Sequence, residues 1–90
     1  MSNPRILIVD DEPDVVTMIQ RALSTEGFDV LGAYDGLAAL DIAENEKPDL
    51  IILDIMMQMM SGYETCAQLK QNPHTKDIPV LCLTSANSPE

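Results

Sequence analysis

Four short apolar segments recur along the chain, and their composition predicts four β-strands. They span residues 5–10, 28–33, 49–54 and 78–84. The run Ile6-Leu7-Ile8-Val9 is apolar at every position, whereas a strand with one wet face alternates polar and apolar residues. The pattern therefore predicts strands that are covered on both faces of a sheet.

Apolar residues at helical spacing occupy the segments between these strands. The predicted helices are bounded by Pro13 and Gly27, by Gly36 and Lys47, and by Gly62 and Asn72. The residues predicted to face the core are Val15, Val16, Ile19, Ala22, Leu23, Leu37, Leu40, Ile42, Ala43, Tyr63, Cys66 and Leu69. Helices that alternate with strands over short connections imply right-handed crossovers. The predicted fold class is α/β, a doubly wound parallel sheet with four strands and three helices.

The size and charge of the chain restrict its partners. Residues 1–90 make one small domain with a formal net charge of −10 and only five Lys and Arg. Because clustered basic residues hold phosphates, we expect no direct contact with nucleic acid or with an anionic membrane.

No leader is visible and no apolar run approaches the ~20 residues of a membrane span, so the sequence predicts a cytoplasmic protein. Cys66 and Cys82 lack a metal-binding spacing, and we expect both to be reduced packing residues.

Polar side chains follow three of the predicted strands. Asp10 ends the first strand and Asp11 follows it, Asp54 ends the third and Thr84 ends the fourth. Since ligands of parallel sheets bind beyond the carboxyl ends of the strands, we expect these side chains to meet. Two carboxylates about 4 Å apart repel by roughly 4 kcal/mol at an effective dielectric of about 20. The cluster must therefore bind a cation, take up protons or splay apart.

Simpler interpretations also apply to the polar residues in this part of the sequence. Taken alone, the Asp10-Asp11 pair is consistent with turn and cap chemistry at a strand end. Glu12 and Asp14 are favourable charges for the first turn of a helix, and Asp35 is a candidate cap. His74 lies in a polar loop with no second histidine in the chain, which predicts an exposed bystander.

Five motifs occur together and in order over nearly the whole chain. They are Ile6-Leu7-Ile8-Val9-Asp10-Asp11-Glu12, Ala33-Tyr34-Asp35-Gly36, Pro48-Asp49-Leu50-Ile51-Ile52-Leu53-Asp54-Ile55-Met56-Met57, Met60-Ser61-Gly62-Tyr63-Glu64 and Ile78-Pro79-Val80-Leu81-Cys82-Leu83-Thr84. In this combination the chain resembles the receiver domain of two-component response regulators. The resemblance implies a flavodoxin-like fold, in which the four predicted strands take the order 2-1-3-4.

The resemblance also assigns roles to the strand-end residues. It implies that Asp54 is the phosphoacceptor, which takes a phosphoryl group from the histidine of a sensor kinase or a histidine phosphotransfer protein. Asp11, Asp54 and the backbone carbonyl of Met56 would bind Mg²⁺ directly, and Asp10 would act largely through a bound water. Thr84 would contact the phosphoryl oxygens and report the modification.

Two departures from the family pattern qualify these roles. Gln58 stands where the family usually has a proline, and the chain ends before the fifth strand with its phosphoryl-binding lysine. We therefore keep a second interpretation, a degenerate or truncated receiver that acts only as an interaction module. The missing neighbour would also leave the apolar fourth strand at a sheet edge, where we expect self-association.

A third function uses similar chemistry but fits the spacing poorly. Aspartate-nucleophile phosphohydrolases also place carboxylates and Mg²⁺ at strand ends, with a second acid two residues after the nucleophile. Met56 stands at that position after Asp54. The spacing therefore disfavours a phosphohydrolase.

Overall fold

Strands and helices alternate along the chain, as the hydrophobic pattern predicts. A computed structural model describes residues 3–54 and 62–83 of the protein. In chain order, the elements are β1 (Arg5–Val9), α1 (Pro13–Ser24), β2 (Asp29–Ala33), α2 (Gly36–Glu46), β3 (Leu50–Asp54), α3 (Gly62–Gln71) and β4 (Val80–Leu83). The first three strands are each one residue shorter than their predicted segments, and β4 begins two residues later than predicted.

The four strands form one parallel sheet in the order β2-β1-β3-β4. Strand β1 therefore lies inside the sheet, between β2 and β3, and the chain reverses its direction of travel across the sheet after β2. This arrangement confirms the predicted α/β class, the parallel sheet and the strand order. It also places the switch point beside the carboxyl end of β1, where ligand sites of such sheets lie.

Alternate residues of β1 face opposite sides of the sheet. Leu7 and Val9 belong to a buried cluster that includes residues of α2 and α3, whereas Ile6 and Ile8 pack with Val16 of α1. Each face of the central strand is thus covered by helix. This two-sided burial explains why the sequence of β1 is apolar at every position.

A glycine permits the close approach of α1 to β2. A Cβ atom at Gly32 would lie 2.8 Å from Cγ1 of Val16 and 3.3 Å from Nε2 of Gln20. The side-chain amide of Gln20 donates to the carbonyl oxygen of Val30 at 3.4 Å. The helix therefore sits directly on the backbone of β2, and the sequence pattern alone does not reveal this contact.

The predicted N-terminal cap and the predicted C-terminal end of α2 are both confirmed. The side chain of Asp35 accepts a hydrogen bond from the backbone N–H of Ala38 at 2.8 Å. Lys47 ends the helix in the left-handed conformation, with φ at 48° and its N–H donating to the carbonyl oxygen of Ala43. Asp35 is thus a structural cap, as the simpler interpretation predicts.

For three of the residues predicted to face the core the prediction is wrong, because their side chains are exposed to solvent. Leu37 is 65% exposed, Tyr63 is 70% exposed, and Ala22 is also exposed. In α2 the buried positions are Gly36, Ala39 and Ala43, and in α3 they are Gly62, Thr65 and Leu69. Leu37 and Tyr63 each follow a buried glycine by one residue, and neighbouring residues on a helix point about 100° apart.

Candidate functional site

The register of β1 and β3 brings three acidic residues to one point. Val9 pairs with Leu53 in this register, so Asp10 and Asp54, the residues that follow, are adjacent at the sheet edge. Asp11 extends from β1 into the same region. Each of the three residues offers a carboxylate oxygen, and these oxygens all lie within 4.8 Å of one another. The predicted meeting of Asp10, Asp11 and Asp54 is therefore observed.

Two hydrogen bonds hold Asp10 in place. Its backbone N–H donates to the carbonyl oxygen of Ala33 at 3.1 Å, and its side-chain Oδ1 accepts from the backbone N–H of Glu12 at 3.0 Å. The residue is only 9% exposed. An aspartate that accepts from the N–H two residues later forms an Asx turn, so the turn interpretation of the acid pair is also correct for Asp10.

Asp11 and Asp54 are more accessible than Asp10. Both residues are half-buried, whereas Asp10 is buried between the strand and the start of α1. The cluster thus combines one buried carboxylate with two that reach the surface.

The electrostatic environment of Asp10 disfavours its charged form. Burial raises the pKa of Asp10 above the ordinary value of 3.8, and the hydrogen bond from the Glu12 N–H opposes this rise. The negative charges of Asp54, Asp11 and Glu12 raise the pKa further. A cation beside the three carboxylates would relieve both the repulsion and the cost of burial.

The donor set of the cluster fits a small divalent cation. It consists of carboxylate oxygens, which are hard ligands, and its half-buried members leave a side open to water. Mg²⁺ prefers oxygen ligands and usually keeps several of its waters, so it is bound by one or two carboxylates with solvent completing the shell. The chemistry of these side chains therefore matches Mg²⁺ better than a soft metal such as copper.

Two predicted contributors lie outside the described residues. These are Thr84, expected to supply a hydroxyl, and Met56, expected to supply a backbone carbonyl. The register pairs Asp54 with Leu83, the residue before Thr84 in the chain. The roles of Thr84 and Met56 stay predictions, and Gln58 also lies outside the described residues.

The remaining polar candidates do not join the acidic cluster. Asp14 is an exposed residue in the first turn of α1. His74 is exposed in the turn after α3, where its backbone N–H donates to the side chain of Asn72 at 2.8 Å. The bond that anchors Asp10 is of the turn type that the sequence analysis allowed for the acid pair, but its donor, the backbone N–H of Glu12, was not specified there.

Comparison with known proteins identifies the family. The family model described as the response regulator receiver domain matches residues 6–90. The chain therefore belongs to the receiver domains of two-component response regulators, and the resemblance drawn from its motifs is confirmed. Among the described residues, no helix has the length and apolar character needed to cross a bilayer.

Curated relatives carry this domain as part of longer chains. The chain is 48% identical over 83 residues to the alkaline phosphatase synthesis transcriptional regulatory protein PhoP of Bacillus subtilis, covering 92% of this chain and 34% of that protein. It is 43% identical over 90 residues to a probable cyclic di-GMP phosphodiesterase of Vibrio cholerae, covering all of this chain and 20% of that protein. The chain thus spans only 20–34% of the length of these relatives.

Solved structures share the fold of the described residues. The N-terminal domain of a response regulator receiver protein from Methanoculleus marisnigri is 40% identical, with a TM-score of 0.89 over 94% of this chain and 69% of that chain. The response regulator TrrA of Thermotoga maritima is 34% identical, with a TM-score of 0.85 over 93% of this chain and 71% of that chain. The TrrA structure is a complex with Mg²⁺-BeF.

Proposed function

We propose that the protein is a phosphoacceptor module, in which Asp54 takes a phosphoryl group from the phosphohistidine of a sensor histidine kinase or a histidine phosphotransfer protein. The observation that carries this proposal is the convergence of the carboxylate oxygens of Asp10, Asp11 and Asp54 within 4.8 Å. The TrrA complex with Mg²⁺-BeF supports it, because that relative is 34% identical to this chain.

The accessibility of the acids favours Asp54 over Asp10 as the nucleophile. Asp10 is buried and its carboxylate is already bound by the Glu12 N–H, whereas Asp54 is half-buried at the end of a strand. A carboxylate must reach the phosphorus in line with the leaving group. Accessibility therefore disfavours Asp10, and between the half-buried Asp11 and Asp54 the family resemblance assigns the attack to Asp54. Asp10 and Asp11 then serve as the acids that hold the cation, with Met56 and Thr84 in their predicted roles.

The transfer exchanges one phosphorus bond for another. An oxygen of the Asp54 carboxylate forms the new P–O bond as the P–N bond to the donor imidazole breaks, and the imidazole leaves with the electron pair of that bond. The product is an acyl phosphate on Asp54. A bound Mg²⁺ supplies the positive charge that offsets the repulsion between the carboxylate and the phosphoryl oxygens. The protein is thus a signalling module rather than an enzyme with a released product.

Small-molecule phosphorylation tests this proposal directly. The protein is incubated with acetyl phosphate and Mg²⁺, and its intact mass is measured; we expect one phosphoryl adduct of about 80 Da that needs the cation. Asp54→Asn removes the acceptor with little change in shape, and we expect no adduct. Asp77→Asn is the matched control, since it makes the same change at an exposed turn residue and should leave the adduct intact. An adduct that persists in Asp54→Asn would refute the assignment.

A second candidate is a receiver that acts only as an interaction module. The exposure of β4 favours it, because Leu81 is 52% exposed and Leu83 is 38% exposed on an apolar strand. A folded protein that takes up no phosphoryl group would select this candidate.

Self-association through β4 is a separate prediction. Sedimentation at high micromolar concentration tests it, and a well-folded monomer at that concentration would contradict it.

The charge of the chain bears on other partners. A net charge of −10 opposes contact with phosphates, so we propose that this domain itself does not bind nucleic acid. Any effect on transcription, as in the relatives with that role, would pass through other segments of a longer protein.

A further inference from the structure

Two large apolar side chains are exposed at the edge of the sheet that carries the acidic cluster. Tyr34 directly follows β2 and is 48% exposed, and Leu37 lies in the first turn of α2 and is 65% exposed. Neither residue belongs to the core clusters found among the described residues. We refer to Tyr34 and Leu37 as the apolar pair. The pair lies on the β2 side of the sheet, at the opposite side from β4.

The start of α2 fixes the outward direction of Leu37. Gly36 and Ala39 are buried, and the side chain of Asp35 caps the helix by accepting from the backbone N–H of Ala38. Because neighbouring residues on a helix point about 100° apart, the side chain that follows Gly36 turns away from the core. The exposure of Leu37 is therefore set by a capped and packed helix start.

The register of the sheet sets the separation between Tyr34 and Asp54. Tyr34, Asp10 and Asp54 stand at equivalent positions at the ends of the neighbouring strands β2, β1 and β3. The backbone N–H of Asp10 donates to the carbonyl oxygen of Ala33 at 3.1 Å, which keeps β2 joined to β1 at this edge. Neighbouring strands lie about 4.8 Å apart, so the backbones of Tyr34 and Asp54 are about 10 Å apart.

We propose that Tyr34 and Leu37 form a docking surface for the protein that carries the phosphohistidine, an inference that rests on the function proposed above. The donor imidazole must reach the carboxylate of Asp54 in line, so the donor protein covers the sheet edge around this residue. A standard interface buries about 800 Å² on each partner, which corresponds to a disc with a radius of about 16 Å. Tyr34 lies well inside a disc of that size centred on Asp54.

The chemistry of the apolar pair suits a protein donor and is irrelevant to a small one. Tyrosine is enriched among the residues that dominate the binding energy of protein interfaces, because its ring buries a large apolar area. Leu37 adds aliphatic surface that a partner can cover. Acetyl phosphate has only a few atoms beyond its phosphoryl group, so it reaches Asp54 without contacting a residue about 10 Å away. The pair therefore affects transfer from a protein and leaves transfer from acetyl phosphate unchanged.

Comparison of a protein donor with a small donor tests the proposal. The sensor histidine kinases of the organism that encodes this chain are purified and autophosphorylated with ATP, and the kinase that labels the wild-type protein fastest is the protein donor. Acetyl phosphate is the small donor. For the double variant Tyr34→Gln/Leu37→Gln, we expect kcat/KM for transfer from the kinase to fall at least about tenfold. Labelling by acetyl phosphate should change by less than about twofold, which also shows that the variant is folded.

Ala22→Gln is the matched control, because it makes an apolar-to-glutamine change at an exposed helical position about 13 Å further along α1 than Pro13. We expect both of its rates to equal those of the wild-type protein. Four results would overturn the docking surface: an unchanged kinase rate in the double variant, a fall with both donors, an equal fall in Ala22→Gln, or no transfer from any kinase to a protein that acetyl phosphate labels. Failure of the proposed function gives a different result, since neither donor would then label the wild-type protein.

Discussion

Val9 and Leu53 are paired in the parallel register of β1 and β3, and this pairing brings Asp10 and Asp54 together at the sheet edge. The two strands have no freedom to separate the acids, because Val9 and Leu53 are both buried in the same cluster. A shift of one residue would turn every core side chain of a strand to the opposite face. The apolar core therefore imposes the crowding of negative charge that the site uses.

Replacing Asp10 with asparagine should stabilise the protein in the absence of divalent cations. Asparagine keeps an oxygen that can accept from the Glu12 N–H, and it removes a buried charge that faces Asp54 and Asp11. We expect the free energy of unfolding in urea at neutral pH to rise by about 1 kcal/mol. Asp77→Asn, at an exposed turn position, should change it by less than about 0.5 kcal/mol. A loss of stability in Asp10→Asn would contradict the proposed repulsion.

The stability difference between Asp10→Asn and the wild-type protein should depend on pH in a predictable direction. Because the pKa of Asp10 is raised in the folded state, the folded protein binds more protons than the unfolded chain between the ordinary and the raised values. Through Asp10, the free energy of unfolding therefore falls as the pH rises across that interval. The advantage of Asp10→Asn over wild type should shrink when urea unfolding without metal is measured at about pH 4 instead of about pH 7. A constant difference would show that Asp10 has an ordinary pKa.

Gly32→Ala should destabilise the contact between α1 and β2. The added Cβ would lie 2.8 Å from Cγ1 of Val16, which is fully buried, and a β-branched side chain has little freedom to move away. We expect a loss of about 1–3 kcal/mol in the free energy of unfolding. In the double variant Gly32→Ala/Val16→Ala the loss should be smaller than the sum of the two single losses, since the clashing methyl is gone. Additive losses would show that the two positions do not touch.

The hydroxyl of Thr75 should contribute measurably to stability. It donates to the carbonyl oxygen of Leu69 at 2.7 Å in a buried position at the end of α3. Thr75→Val keeps the shape but leaves that buried carbonyl without this donor, and we expect a loss of about 1–2 kcal/mol by urea unfolding. Thr25→Val removes a hydrogen bond of the same length to the carbonyl of Ala22, but at an exposed position where water replaces it. The Thr25 variant should lose less than about 0.5 kcal/mol, and equal losses would contradict the role of burial.

The fold and the acidic cluster could be predicted because each depends on backbone order. Continuous apolar runs identify buried strands, and parallel strands place their last residues at one edge, so Asp10 and Asp54 were expected at the same edge of the sheet. Their adjacency follows from the pairing of β1 with β3. The strand order itself came from the resemblance to the family, since strand composition does not determine which strands pair.

Features that depend on side-chain direction or on distant contacts were harder to predict. Tyr63 is apolar enough for the core, but the buried stripe of α3 follows Gly62, Thr65 and Leu69. The contact of Val16 with the backbone at Gly32 joins a helix and a strand whose separation is fixed only by the packing of α1 on the sheet. Periodicity gives the face of one element and does not give the distance between two elements.

Locating the acyl phosphate tests the central claim most directly. The protein is phosphorylated with acetyl phosphate and Mg²⁺, the acyl phosphate is reduced with borohydride to convert the modified aspartate to homoserine, and the site is identified by peptide mass spectrometry. The arrangement of the three carboxylates predicts homoserine at position 54 alone, and only when Mg²⁺ is present during phosphorylation. Homoserine at position 10 or 11, or equal modification with the cation removed by chelation, would contradict the account.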